Sequence, residues 1–163
     1  MYVVTERDFV HLRRCIELAA KAVDEGHSPF GSVIVDADGT VLFEDHNRNG
    51  DGDETRHPEF AIARWAAENL SPEQRAASTV YTSGEHCPMC SAAHAMVGLG
   101  RIVIVASSDQ LRYWRKQMGF TSPGPISPLP INAVAPGIPV AGPVPDLVDD
   151  IRSLHERRAK LHN

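Results

Sequence analysis

Cysteine is scarce in this chain, with three residues in 163. That count excludes a small secreted scaffold stapled by disulfides, and so few thiols read more readily as metal-binding or catalytic groups. Positive charge is short as well: 16 Lys and Arg stand against 21 Asp and Glu, for a net charge of -5. A dedicated nucleic-acid binder normally carries a basic footprint, so none is expected as a partner. The last segment, Asp146 to Asn163, balances its acids against its bases and offers no basic arm for phosphates. No apolar run approaches membrane length, and the opening MYVVTERDF has neither a basic leader with an apolar stretch nor a small-residue cleavage site. A cytoplasmic address without membrane contact is expected. Internal repeats are absent too. What remains is ordinary globular composition, 42% hydrophobic and 23% charged, in a chain long enough to bury one core.

Apolar periodicity divides that chain. Thr5 is a plausible N-cap with Asp8 three residues on, and Phe9, Leu12, Ile16, Ala19 and Val23 then recur at helical spacing up to Gly26. Ser32 to Val35 and Thr40 to Glu44 are β-prone runs around Asp36-Ala37-Asp38-Gly39, a hairpin pattern. The polar stretch Asn47 to Thr55 reads as a loop. Helices are predicted over Pro58 to Leu70, over Pro88 to Leu99, and from Asp109, as N-cap, to about Met118; strands are predicted over Thr79 to Thr82 and Arg101 to Ala106. Between Pro123 and Pro145 fall eight of the twelve prolines, interleaved with Ile131, Val134, Ile138, Val140 and Val144. Such density suits extended backbone and bars a central strand, leaving either a flexible linker or a docked arm. A final amphipathic helix, Asp146 to Leu161, has acids first and bases later, as its dipole favours. Helices alternating with strands imply a layered α/β fold in a single domain, with a core over 1–121, a proline-rich arm over 122–145 and a C-terminal helix over 146–163.

Two short clusters carry the chemistry: His57-Pro58-Glu59 and Cys87-Pro88-Met89-Cys90. The two thiols are three positions apart, so in the first turn of a helix both sulfurs project from one side, where the helix dipole favours thiolates. His57 can add a neutral imidazole to the same tetrahedron. Glu59 points roughly 200° around an ideal helix from His57, better placed for substrate than for the metal. A structural zinc is closed by four protein ligands, whereas a catalytic one keeps a position open for water. One imidazole, two thiolates and a spare carboxylate therefore suit a hydrolytic site. With two thiolates the ion is neutralised, its water is acidified less, and a base is needed; Glu59 is that proton shuttle. The competing reading is a structural zinc closed by His86 or His94, with Glu59 a solvated helix carboxylate.

At these residues the chain resembles the cytidine deaminase-like superfamily, in its branch of guanine, cytosine and tRNA adenosine deaminases. The resemblance runs from about Val23 to Phe120. It rests on Ser28-Pro29-Phe30-Gly31-Ser32-Val33-Ile34-Val35, on Asn47-Arg48, on the H-x-E at His57 to Glu59, and on Thr82-Ser83-Gly84-Glu85-His86-Cys87-Pro88-Met89-Cys90. It implies a three-layer α/β/α fold around a central mixed sheet of about five strands, a zinc cofactor, and a homodimer. It further implies His57, Cys87 and Cys90 as zinc ligands, Glu59 as shuttle, Asn47 as a base-reading amide, Phe30 as a wall for the ring, and Asp109 as a second acid assisting proton transfer.

Three departures bear on substrate. Pro58 stands where the family has Ala or Gly and supplies no N–H to a ring oxygen. His86 replaces a proline before the first cysteine and is a candidate to gate the pocket or contact substrate. His94-Ala95-Met96 stand where guanine deaminases of the branch place aromatics. The expected substrate is thus a free nucleobase or base-like aminated heterocycle other than guanine: an unusual or modified purine, a cytosine-like ring or a triazine. Alternatives are guanine deaminase proper, tRNA adenosine deaminase, and a non-catalytic zinc-stabilised binding module.

Overall fold

The computed structural model describes residues 3–122 and 124–162; Met1, Tyr2, Asn163 and Pro123, which opens the proline-rich stretch, lie outside the described residues. Helix α1 spans Glu6–Asp24 with Thr5 as its N-cap, whose N–H donates to Asp8 Oδ2 at 2.7 Å. Strands β1 (Gly31–Val35) and β2 (Val41–His46) form the expected hairpin, and Asp36 Oδ1 closes the turn by accepting from the backbone N–H of Asp38 and of Thr40, each at 2.9 Å. A short 3-10 turn at Asn49–Asp51 interrupts the following loop. Next come α2 (Pro58–Asn69), α3 (Pro72–Ala77), β3 (Thr79–Gly84), α4 (Pro88–Met96), β4 (Arg101–Ala106) and α5 (Ser108–Gln117).

Boundaries moved where capping chemistry outweighed periodicity. The short α3, absent from the sequence reading, is set by a capping box in which Ser71 Oγ accepts from Gln74 N and Gln74 Oε1 accepts from Ser71 N. Helix α4 stops at Met96 rather than Leu99, with Val97 as C-cap. The N-cap of α5 is Ser107, not Asp109, because Ser107 and Gln110 form a second such box. The proline-rich stretch holds a turn of helix, α6 (Ile131–Val134), and a two-residue strand, β5 (Val140–Ala141). Prolines still keep it to the sheet edge, as their missing N–H demands. Helix α7 covers Pro145–Lys160.

The sheet order is β2-β1-β3-β4-β5, with β1 antiparallel to β2 and β3, and β3, β4 and β5 parallel. Alternate residues feed its two faces. Val33, Val35, Tyr81, Val103 and Val105 pack with Leu12, Cys15, Ala19, Trp114, Leu147 and Ile151 beneath α1, α5 and α7. Ile34 and Val80 meet Ile62, Ala63 and Ala66 of α2, while Ile102 and Ile104 meet Ile131 of α6. This is the three-layer mixed sheet that the resemblance implies, and truncating a fully buried member such as Ile34 to Ala costs about 2–5 kcal/mol. Gly31 lets α1 approach β1: a Cβ there would lie 2.4 Å from the Cys15 carbonyl oxygen. Buried Asp8 ties α1 to the sheet, accepting from the Tyr81 hydroxyl at 2.7 Å and pairing with Arg101 at 3.0 Å.

Candidate metal centre and cavity

Two helix N-termini converge on one side of the sheet. His57 is the N-cap of α2 and Cys87 the N-cap of α4, each followed by a proline at the first helical position, where a missing N–H costs nothing. His57 Nδ1 lies 3.5 Å from Cys87 Sγ and 3.6 Å from Cys90 Sγ. A tetrahedral zinc with Zn–S of about 2.3 Å and Zn–N of about 2.0–2.1 Å sets N and S about 3.6 Å apart, so the spacing already fits the ion. Among the described residues these three form the one group of His, Cys, Asp or Glu with metal-ligating geometry. Neither His86 nor His94 joins it. His94 Nε2 instead bonds the Gly100 carbonyl at 2.7 Å, and His86, 1% exposed, packs edge-on against His94 with ring centroids 5.4 Å apart. Both ring nitrogens of His86 are buried without a partner.

Electrostatics within the cluster favour a thiolate at Cys87 beside a protonated thiol at Cys90. Hydrogen bonding from Cys90, then from His57, holds Cys87 down to about 4 despite burial. The same Cys90–Cys87 bond, with burial and the nearby Glu59 carboxylate, pushes Cys90 upward. For His57, burial acts to lower the pKa but is outweighed by Cys87 and Glu59, so the net direction is up. An ion with two positive charges would release the proton that the pair otherwise shares.

Glu59 is not a solvated helix carboxylate: it is 5% exposed, and burial raises its pKa against the opposing pull of His57 and Thr82. Its two oxygens are differentiated. Oε1 lies 2.9 Å from the Thr82 hydroxyl and 3.1 Å from the Ser32 hydroxyl, while Oε2 lies 3.8 Å from Cys90 Sγ. Ser32 and Thr82 are directly paired across β1 and β3, with their hydroxyls 2.9 Å apart. Neither residue was singled out from sequence for this role. The available signal was a hydroxyl at one cross-strand position inside two otherwise apolar buried strands.

His57, Glu59 and Cys87 line a cavity of about 680 Å³ together with Phe30, His86, Trp114 and His155. Phe30 presses against the end of β3, where a Cβ on Gly84 would meet its ring at 2.9 Å. His155, on α7, stands edge-on to Phe30 at 5.3 Å and 5.9 Å from Trp114. Burial, then the neighbouring Arg115, holds it down at about 3, so it is a neutral imidazole. It makes no side-chain hydrogen bond among the described residues. Sequence reading placed it only on an amphipathic helix; nothing local marks it as a cavity residue. Glu85 closes the rim, Oε1 accepting from Ile131 N and Oε2 from Ser108 N, each at 2.8 Å. It thereby pins the proline-rich arm and the start of α5 to the end of β3.

The remaining sequence candidates fall elsewhere. Asn47 is 1% exposed, with Oδ1 accepting from Asn49 N at 2.7 Å. Neither it nor Pro58, buried at the start of α2, lines the cavity. Asp109 is 78% exposed at its side chain, paired with Arg112 at 2.9 Å, and is also not part of the cavity wall. The α5 residues on the cavity wall are Leu111, Arg112, Trp114, Arg115 and Lys116, and of these Trp114 alone is buried. A second, smaller groove between α5 and α7 contains none of the cluster.

A mixed sheet covered by helices, with an N/S₂ triad at two helix starts and a buried carboxylate beside it, defines an α/β protein with a catalytic-type metal centre. The chain belongs to the cytidine and deoxycytidylate deaminase family, whose zinc-binding region matches residues 5–106. Zinc is accordingly its cofactor. A probable cytosine deaminase of Schizosaccharomyces pombe is 33% identical over 141 residues, 86% of each chain. The guanine deaminase of Bacillus subtilis is 40% identical over 81 residues, 48% of this chain and 51% of that protein. A tRNA-specific adenosine deaminase of Haemophilus influenzae is 34% identical over 106 residues, 64% of this chain and 61% of that one. In fold, the guanine deaminase from Nitrosomonas europaea superposes with a TM-score of 0.71 at 22% identity, over 98% of this chain and 87% of that one.

Proposed function

We propose that the chain is a hydrolytic deaminase of a small nucleobase-like aminated heterocycle, converting a ring C–NH₂ to C=O with release of ammonia. The observation that carries this reading is the buried Glu59, tethered through Oε1 and leaving Oε2 3.8 Å from Cys90 Sγ beside the metal triad. His57, Cys87 and Cys90 would hold a zinc ion, which would supply Lewis acidity to activate a water molecule. Glu59 takes one proton from the attacking water and delivers it to the ring nitrogen next to the amino-bearing carbon. It then passes the second to the departing amine, ending as a carboxylate again. Burial raises its pKa toward the range in which both transfers run near neutrality. Phe30 and Trp114 wall a planar ring, and His155 offers an imidazole to its edge.

Guanine stays in the substrate panel, because Pro58, whose missing N–H argues against it in sequence, is buried off the cavity wall. The homodimer and the cytoplasmic address belong to the same proposal. Ammonia release by the zinc-loaded protein across free bases, nucleosides, pterins and triazines tests it, with Glu59→Ala as control. Turnover by Glu59→Ala equal to that of the wild type would overturn the mechanism.

A further inference from the structure

The cavity is large for its chemistry. At about 680 Å³ it sits in the upper half of the ~300–1,000 Å³ range of small-molecule sites, and a bare one- or two-ring base fills only part of it. Its inner end holds His57, Glu59 and Cys87. Its α5 wall is different in kind: Arg112, Arg115 and Lys116 follow at i, i+3 and i+4, so one helix face brings three cations to the same opening.

These cations are not matched by carboxylates across the cavity. The acidic residues among its lining are Glu59, already committed to the metal side, and Glu85, whose two oxygens are both taken by backbone N–H groups. Arg112 is paired with Asp109 on its own helix. Arg115 lies over the Phe120 ring at 4.7 Å, and neither it nor Lys116 has an ion-pair partner among the described residues. A solvated helix face would need no explanation in a basic protein. Here the chain as a whole carries -5, yet Arg115 and Lys116 stand on the wall of the cavity that holds the metal triad with no carboxylate opposite them.

We infer that the substrate ring carries an anionic substituent, a carboxylate or a phosphate, which Arg115 and Lys116 hold at the cavity mouth while the amino-bearing carbon faces Glu59. The inference rests on the deaminase reading and narrows its substrate class. Arg115, with its guanidinium over the Phe120 ring, offers the planar N–H fork that suits bidentate contact with either anion. Lys116 adds a mobile point charge. The neutral His155 on the same cavity wall adds a polar contact that carries no charge.

Matched pairs test this. Pterin is compared with pterin-6-carboxylate, and cytidine and guanosine with their 5′-monophosphates, in ammonia release by the zinc-loaded protein. The expected result is a kcat/KM for one class of anionic member about 10-fold or more above its neutral twin, falling as salt rises. The carboxylate and phosphate arms identify which anion it is. Arg115→Gln with Lys116→Gln lowers kcat/KM for the anionic member more than for its twin, bringing their ratio toward one. Neutral twins turned over as well as both anions, or a ratio insensitive to salt and to the double variant, overturns the inference. So does preferential turnover of a tRNA anticodon stem–loop over every small molecule. Calorimetric binding of the same pairs to zinc-loaded Glu59→Ala separates the two readings. Tighter binding of the anionic member without turnover by the wild type sinks the deaminase chemistry and leaves the anion site standing.

Discussion

Thr82→Val replaces a hydroxyl by a methyl of nearly the same shape at the residue that orients the proposed proton shuttle. The hydroxyl lies 2.9 Å from Glu59 Oε1 and acts to lower the carboxyl pKa, against the dominant effect of burial, which raises it. A hydrogen bond to a charged group contributes about 1.5–3 kcal/mol. The Ser32 hydroxyl, 3.1 Å from the same oxygen and deprived of Thr82 Oγ1 as an alternative acceptor, still donates, so the loss falls near the lower end, about 1.5 kcal/mol. The sign follows from the charged form being the one that loses a donor: the carboxylate becomes harder to form. The acid limb of the kcat/KM profile therefore moves to higher pH, and on that limb the rate falls by about 10-fold. Adding Ser32→Ala removes the second donor and deepens the loss to about 100-fold. The assay is ammonia release against pH with the best substrate of the panel, alongside zinc content and thermal unfolding. An acid limb at the wild-type position, in a variant that keeps its zinc and its midpoint, refutes the argument that Oε1 is held by these hydroxyls.

Glu59→Gln is expected to retain zinc and fold while losing at least about 100-fold in turnover, read by metal analysis beside ammonia release. Chelation should abolish activity and zinc should restore it, whereas Cys90→Ser should bind the ion too weakly for restoration at stoichiometric metal; full recovery in Cys90→Ser would remove Cys90 from the ligand set. His155→Phe keeps the aromatic bulk against Phe30 and Trp114 but removes both ring nitrogens, so KM should rise with little change in kcat; equal losses in both would mark a structural role instead. Asp8 is held at about 2, below its ordinary 3.8, by Arg101, Thr5 and Tyr81 working against burial. A depressed folded-state pKa contributes stability that is complete above 3.8 and is lost as pH falls toward 2, about 2 kcal/mol in all. Urea unfolding of the wild type and Asp8→Asn at pH 7 and across the acid range should show the variant less stable at neutrality and less sensitive to acid; parallel curves would contradict this.

Legibility differed from element to element for identifiable reasons. Helix α1, the β1–β2 hairpin, β4 and the two helix starts at Pro58 and Pro88 are written in local periodicity and turn chemistry, and they stand where the sequence reading put them. The short α3 and the start of α5 rest on Ser-x-x-Gln boxes at Ser71 and Ser107, signals present in the sequence but passed over in favour of apolar spacing. Strand β5 had no local signal at all. Its two residues become a strand because β4 offers an unpaired edge, a contact between residues nearly forty positions apart.

The metal triad was legible because helix geometry turns a spacing of three residues into a shared face, and because His and Cys at helix starts have few other uses. The shuttle's surroundings were not. Ser32, Thr82, His155 and the α5 cations come from four separate elements: the pairing of β1 with β3 sets the two hydroxyls behind Glu59, and the packing of α5 and α7 brings His155 and the cations to the cavity that Glu59 lines. Asp109 shows the opposite case, since a position that motif likeness marked as catalytic faces outward once the helix phase is set by Trp114 burying its ring. Sequence alone determined which atoms can bind zinc and which carboxyl group accompanies them, since these depend on residue type and on spacings within one helical turn. Tertiary structure decided which donors tether that carboxyl group and which charges meet a substrate, because those contacts depend on how layers pack and no local pattern encodes them.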